Sequence, residues 1–339
     1  FPAGMVTRKA APALAAGCAV IVKPSEVTPR FVEPLQRTID QAGLSDLLSF
    51  TPGAGETGQA IIARADLVCF TGSVATGKKV AAAAADRLIP AFLELGGKDP
   101  LIITESADLD LAVTAALRGS VLSTGQACQS IERIYLPASR HDVFLEKLVE
   151  AAKAVRLNQP YIEEGEIGPL IFEKQADIIA AQIEDARSKG ARVLTGGAVE
   201  THGGGKWLRP TVIADVDHSM TVMTEETFGP VLPVMAYDDI DEAVRLANDT
   251  VYGLSAAVFA GDLDEAEAVA RRLDAGAVSL NDAALTALFY EAEKQSFKAS
   301  GLGPSRMGAA GLTRFYRRKA LIANTGAPLP LQAFREDDL

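Results

Sequence analysis

Leu67-Val68-Cys69-Phe70-Thr71-Gly72-Ser73-Val74-Ala75-Thr76-Gly77 opens as an apolar strand, turns at a glycine and continues into an Ala-rich helix ending near Asp86. The same alternation repeats on both sides of it. Upstream, Ala19 to Val22 is a β-branched run stopped by Lys23-Pro24, and Thr28 to Ala42 reads as a helix closed by Gly43. Leu47 to Phe50 is the next strand, ended by Pro52-Gly53, and Glu56 to Arg64 is a short helix. Downstream, Ala91 to Leu95 forms a further strand. Strands without polar alternation, separated by helices, predict a parallel sheet covered on both faces. The unit is a doubly wound α/β fold, in which ligands bind at the carboxyl ends of strands.

The pair Gly96-Gly97 marks a break, and a second α/β region follows. It predicts strands near 101–103, 131–136, 191–195, 211–214, 231–236 and 277–281. Helices are expected near 108–122, 142–155, 173–189, 239–248 and 263–274. At 339 residues the chain has room for about two domains. The expected division is 1–96, 97–305 and a returning tail, 306–339.

Hydrophobic residues make up 48% and charged residues 23%, a globular balance rather than a disordered or collagenous one. A net charge of −11 argues against nucleic acid or an anionic membrane as partner. The basic cluster Arg317-Arg318-Lys319 is read as edge-strand charge in a tail that docks on a neighbouring subunit. No apolar run is long enough for a membrane-spanning helix. The odd set Cys18, Cys69 and Cys128, without C-x-x-C, fits a reducing cytoplasm without disulfides. His141, His202 and His218 lack metal-ligand spacing, so no metal is expected. The chain opens Phe1-Pro2-Ala3-Gly4-Met5, as though beginning in the middle of a longer one.

Cys128 follows a long helix and is flanked by Gly125, Gln126 and Ser130. Such a turn can expose a thiol and aim backbone N–H groups at it; a small buried hydrophobe at a helix end reads equally well. Glu94 ends an apolar strand, where a carboxylate is costly unless paired or used. Burial would raise its pKa toward the range of a general base, whereas a wet sheet end would leave it a plain surface acid. Gly72 and Ser73 stand at a helix N-terminus that suits a phosphate, although most such turns only cap the helix. Lys23 and Glu26 end the strand before Pro29 and could meet ribose hydroxyls, or form a solvated loop.

Taken together these segments resemble the NAD(P)-dependent aldehyde dehydrogenase superfamily. The resemblance rests on five blocks in order. They are Val22-Lys23-Pro24-Ser25-Glu26-Val27-Thr28-Pro29, Phe70-Thr71-Gly72-Ser73, and Phe92-Leu93-Glu94-Leu95-Gly96-Gly97-Lys98. Gly125-Gln126-Ala127-Cys128 with Arg133, and Glu225-Glu226-Thr227-Phe228-Gly229-Pro230-Val231, complete the set. The resemblance implies Cys128 as nucleophile and Glu94 as the base of deacylation. It implies cofactor contacts at Lys23, Ser25, Glu26, Gly72, Ser73, Gly77, Leu95, Glu226 and Phe228. Arg133 and Asn281 match supporting positions away from the reacting atoms. The implied reaction is oxidation of an aldehyde to a free carboxylic acid through a Cys thioester, in a homo-dimer or homo-tetramer. NAD is favoured because Glu26 repels a 2′-phosphate; Lys23 offsets this, so NADP stays open.

Two departures accompany the resemblance. The oxyanion-stabilising Asn of the family would stand immediately before Phe1. That position suggests either a fragment of a longer product or an impaired relative that binds nucleotide or assists assembly. The stretch from Ala283 to Gly308 is the other departure: of the family pattern it keeps only Phe297 and the Ser300-Gly301-Leu302-Gly303 core. Phe289 or Tyr290 could line an apolar substrate pocket there, or pack as ordinary core. A cofactor-free, Cys-dependent esterase would share Cys128 and Glu94 but leave Lys23, Glu26 and Glu226 unexplained.

Overall fold

Pro24 and Pro52 stop the strands Val20–Val22 and Leu48–Phe50, which pair in parallel register. A proline carries no N–H to extend a ladder, so both strands stay short. Val68–Thr71 lies parallel to Ala91–Glu94, and Gly301–Leu302 adds an antiparallel strand to the latter. The computed structural model describes residues 2–334. Phe1 and the last five positions of the expected 306–339 tail lie outside the described residues.

The expected four-strand sheet is therefore two separate ladders, and no ladder joins Leu48–Phe50 to Val68–Thr71 among the described residues. Three-residue strands offer too few bonds to fuse the pairs. Cover on both faces is also incomplete, since Ile21 is 54% exposed. The helix Val74–Asp86 begins where the Ser73 hydroxyl accepts the Thr76 N–H at 3.3 Å. Gly77 lets this helix sit on the strand end, because a Cβ there would lie 2.5 Å from the Leu95 side chain. A helix that the sequence reading did not anticipate, Pro2–Ala15, packs Ala10 and Ala13 inward and carries Lys9.

The second sheet has seven strands in the order Val278–Leu280, Ala256–Phe259, Asp99–Ile103, Ile131–Pro137, Val231–Tyr237, Thr211–Ala214 and Arg192–Thr195. All neighbours are parallel except the last pair. Asp99–Ile103 and Ile131–Pro137 are buried at every residue. Their alternation splits the core. Leu101 and Ile103 pack with Val113, Phe144 and Leu148 on one face, and Ile102 with Ile179, Ile183 and Val244 on the other. Each such side chain contributes about 1.5–3 kcal/mol. Ala256–Phe259 was missing from the expected strands, because its alanines give little β signal; burial between two parallel neighbours makes it a strand. A hairpin, Val199–His202 and Gly205–Leu208, was also not anticipated; it turns on Gly203 and Gly204, both at positive φ.

Between the sheet and the site lies a buried ion pair. Lys98 Nζ stands 2.8 Å from Glu132 and donates to the Thr227 hydroxyl at 2.8 Å. Glu132 also accepts the N–H groups of Thr227 at 2.7 Å and Phe228 at 2.8 Å. Beside it, the buried Arg133 donates to the carbonyl of Lys98 at 2.8 Å and to those of Leu246 and Ala247 at 3.2 and 2.9 Å. Replacing Lys98 with Met leaves the Glu132 carboxylate buried and uncompensated. Urea unfolding of the K98M variant is expected to show a loss of about 3–5 kcal/mol, with a smaller loss in the K98M/E132L double variant.

Candidate active site

Asp108 caps the helix Leu109–Val121 through the N–H groups of Asp110 and Leu111. At the far end of that helix the chain makes a tight turn, with Ser123, Thr124 and Gly125 at φ of 57, 60 and 67°. Left-handed backbone at two non-glycine residues is strained and persists only where neighbours hold it. Thr124 Oγ1 accepts the Gly168 N–H at 3.0 Å, and Gln126 Oε1 accepts that of Ile171 at 2.8 Å. A Cβ on Gly125 would lie 2.4 Å from the backbone of Gly229. The turn so clamped delivers Cys128 to the end of Asp99–Ile103. Gly97 permits the approach: a Cβ there would lie 2.5 Å from the Cys128 carbonyl and 2.7 Å from the Asp99 carboxylate.

Cys128 and Glu94 line one cavity of about 50 Å³, together with Leu95, Lys294, Arg306 and Arg314. Both readings of this turn meet in part: Cys128 is half-buried, yet it opens onto the cavity. Burial pushes the Cys128 thiol up to about 11, and the neighbouring Asp99 adds to the rise while Lys294 opposes it. The Cys128 N–H donates to no described residue, so it is free for an incoming oxygen. Glu94 is also not the uncompensated carboxylate of an apolar strand. Its oxygens lie 3.2 Å from Lys9, 3.2 Å from Arg306 and 4.0 Å from Arg314. Those cations come from the first helix and from the chain beyond residue 305, so no local pattern announced them.

Glu226 stands on the far side of the glycine pair. A Cβ on Gly96 would lie 2.4 Å from its carboxylate, which accepts the Gly97 N–H at 3.4 Å. Burial, then the Glu132 charge, pushes Glu226 up to about 8. Phe228 follows at φ 51°, held by its N–H bond to Glu132. The Leu95 N–H donates to the Ser300 carbonyl at 2.9 Å, and the Leu95 carbonyl accepts no hydrogen bond among the described residues. Ser73 stands exposed at the start of its helix, beside Gly72, where the phenyl of Phe70 closes the turn.

Lys23 and Glu26 face each other at 3.1 Å, and Lys23 also donates to the carbonyls of Pro24 at 2.9 Å and Gly53 at 2.8 Å. The Glu26 carboxyl is held below its usual range by its own backbone N–H and by Lys23. Ser25 Oγ accepts the Val27 N–H at 3.3 Å, closing the turn.

Phe289 and Tyr290 line neither the cavity nor the core; both are exposed, and Arg8 lies over the Tyr290 ring at 4.3 Å. The left-handed Ala284, at φ 59°, redirects the chain before them. Asn281 props the adjoining strand instead, its Oδ1 accepting the Ala260 N–H at 2.7 Å. Sequence reasoning missed Lys9, Asp99, Lys294, Arg306 and Arg314 at the site. Asp99, fully buried and bonded to Ser255, is pushed up to about 7 by desolvation. Among the described residues no cluster of His, Cys, Asp or Glu could hold a metal, and no helix is long and apolar enough to cross a membrane.

The sequence profile of the Aldehyde dehydrogenase family matches residues 1–321. A putative succinate-semialdehyde dehydrogenase [NADP(+)] of Mycolicibacterium smegmatis is 39% identical over 336 residues, 97% of this chain and 65% of its own. Betaine aldehyde dehydrogenase of Cereibacter sphaeroides is 39% identical over 329 residues, 96% of this chain and 67% of its own. This chain thus spans about two thirds of the curated relatives' length. The putative aldehyde dehydrogenase PutA from Anabaena variabilis superposes with a TM-score of 0.96 at 56% identity, covering 99% of this chain and 72% of that one. A betaine aldehyde dehydrogenase from Staphylococcus aureus, solved with NAD+, gives 0.91 at 34% identity, covering 99% and 67%.

The raised thiol has a direct readout. Without ligands, alkylation of Cys128 by iodoacetamide should still be accelerating above pH 9, since the thiolate fraction grows until about 11. A rate that levels off near pH 8.5, the range of a free thiol, contradicts this environment.

Proposed function

This chain belongs to the aldehyde dehydrogenase family, and from that premise we propose that it oxidises an aldehyde to a carboxylic acid with NAD. The observation that carries the reading is the shared cavity of Cys128 and Glu94, which are 34 positions apart in sequence. Cys128 gives its proton to solvent water, and its sulfur attacks the aldehyde carbon to form a hemithioacetal. The free Cys128 N–H supports the oxyanion that develops. A nicotinamide dinucleotide held by Lys23, Glu26, Ser73, Leu95 and Glu226 would supply the acceptor for the hydride that leaves this carbon. A thioester on Cys128 remains, and Glu94 draws a proton from the water that hydrolyses it.

The residues present fit a dinucleotide. The Glu226 carboxylate is buried, with the Gly97 N–H as its one donor, and has acceptor capacity left for a ribose diol. Phe228 is held nearby in the chain by its N–H bond to Glu132, and the Leu95 carbonyl, without a donor among the described residues, can accept from an amide. Gly72, Ser73 and Gly77 form a helix start whose N–H groups favour a pyrophosphate. Lys23, Ser25 and Glu26 offer a charged turn at a strand end to the second ribose. Glu26 opposes a 2′-phosphate there, which favours NAD over NADP.

The test uses the intact protein that carries this chain. Aldehyde-dependent NADH formation should vanish in C128A, and activity surviving that change overturns the assignment. In E94Q the steady rate should fall about 10²–10⁴-fold while a single-turnover burst of NADH persists. Loss of burst and turnover together would place Glu94 before hydride transfer instead. Calorimetry with NAD separates the esterase reading, which expects no binding.

A further inference from the structure

The cavity around Cys128 carries more positive charge than its chemistry requires. Glu94 is the one carboxylate on its lining, against Lys294, Arg306 and Arg314. Glu94 engages Arg306 and Arg314, and Lys9 as well, so its charge is already shared. Lys294 has no ion-pair partner within 4.0 Å and no hydrogen bond from its ammonium among the described residues. Only its backbone N–H is engaged, with the Ser305 hydroxyl at 3.2 Å. Asp99, the carboxyl that bears most on Lys294, accepts both the N–H and the hydroxyl of Ser255. A second group is also unsatisfied: the Arg314 side chain is 1% exposed, and its Nε has no hydrogen-bond partner. An unpaired ammonium and a buried guanidinium N–H on one cavity wall are costly unless an anion meets them. In a chain of net charge −11, this local excess is a built feature rather than a reflection of overall composition.

We propose that Lys294, backed by Arg314, recognises an anionic group at the far end of the aldehyde, so that the preferred substrate is an aldehyde carrying a carboxylate or a phosphate ester. This deepens the aldehyde-oxidation reading and rests on it. The recognition needs no new bond. The anion replaces water at Lys294 while the aldehyde carbon stands at Cys128. Burial lowers the Lys294 pKa, and the facing Asp99, Cys128 and Glu94 raise it while Arg306 lowers it further. A bound anion adds to the terms that keep it charged.

The experiment compares matched aldehydes on the intact protein: glutaric semialdehyde against pentanal, and glyceraldehyde phosphate against glyceraldehyde. The kcat/KM ratio of anionic to neutral partner should exceed unity by about 10- to 100-fold for one pair, the pair identifying the anion. K294M should collapse that ratio toward one, and K294R should restore part of it. A parent ratio at or below one for both pairs, or a ratio unmoved in a folded K294M, overturns the inference. Binding is read separately, as protection of Cys128 from iodoacetamide by glutarate or inorganic phosphate. If no aldehyde is oxidised yet an anion protects the parent and not K294M, the oxidation reading fails and the anion site stands. With neither turnover nor protection, both fall.

Discussion

Lys98 and Glu132 meet in the interior with side chains that are 0% and 3% exposed, and much of the site hangs from that contact. The pair alone would not repay its desolvation. It persists because further hydrogen bonds surround it, from the Thr227 hydroxyl and from the N–H groups of Thr227 and Phe228. Gln182 extends the network, accepting from the Thr227 hydroxyl at 2.8 Å and donating to the Glu226 carbonyl at 3.3 Å. The segment from Glu226 to Phe228 is thereby held in a conformation that includes a left-handed phenylalanine. Lys98 leads into one buried strand and Glu132 lies on its neighbour, so the Glu226–Phe228 loop inherits the rigidity of the sheet.

The glycine pair converts that rigidity into a site. Gly96 accepts the Glu226 carboxylate against its α-carbon, and Gly97 accepts the Cys128 turn and Asp99. Side chains at either position would separate the two halves by the width of a methyl group. Close approach has an electrostatic consequence. Glu226, Asp99 and Cys128 are crowded into a poorly solvated volume, and burial drives each toward its neutral form. Glu94 differs in being ringed by cations.

Elements with strong local signals were legible without a structure. The helix Val74–Asp86 was expected at its observed bounds, since Ser73 marks its start and its alanines carry it. Val231–Tyr237 and Glu173–Ser188 followed from apolar runs and helical spacing. The strand Ala256–Phe259 was hidden because alanine favours helices locally, and only its burial between parallel neighbours overrides that. Lys294 and Arg314 drew no reading from the sequence, which carries no mark of which cations the fold will enclose.

By itself the sequence determined the α/β alternation, the pairing of Cys128 with Glu94 as candidates, and the glycines that make their approach sterically possible. These depend on local propensity, residue chemistry and motif order, all of which are linear properties. Only the tertiary structure decided the charge state and company of each group. Lys9 and Arg306, nearly three hundred positions apart, converge on one carboxylate. Desolvation of Cys128 depends on how many atoms from distant segments exclude water, and Lys294 has no ion-pair partner among the described residues while Asp99 bonds Ser255. Electrostatic energy in a protein depends on distance and burial, and neither quantity exists until the chain has folded.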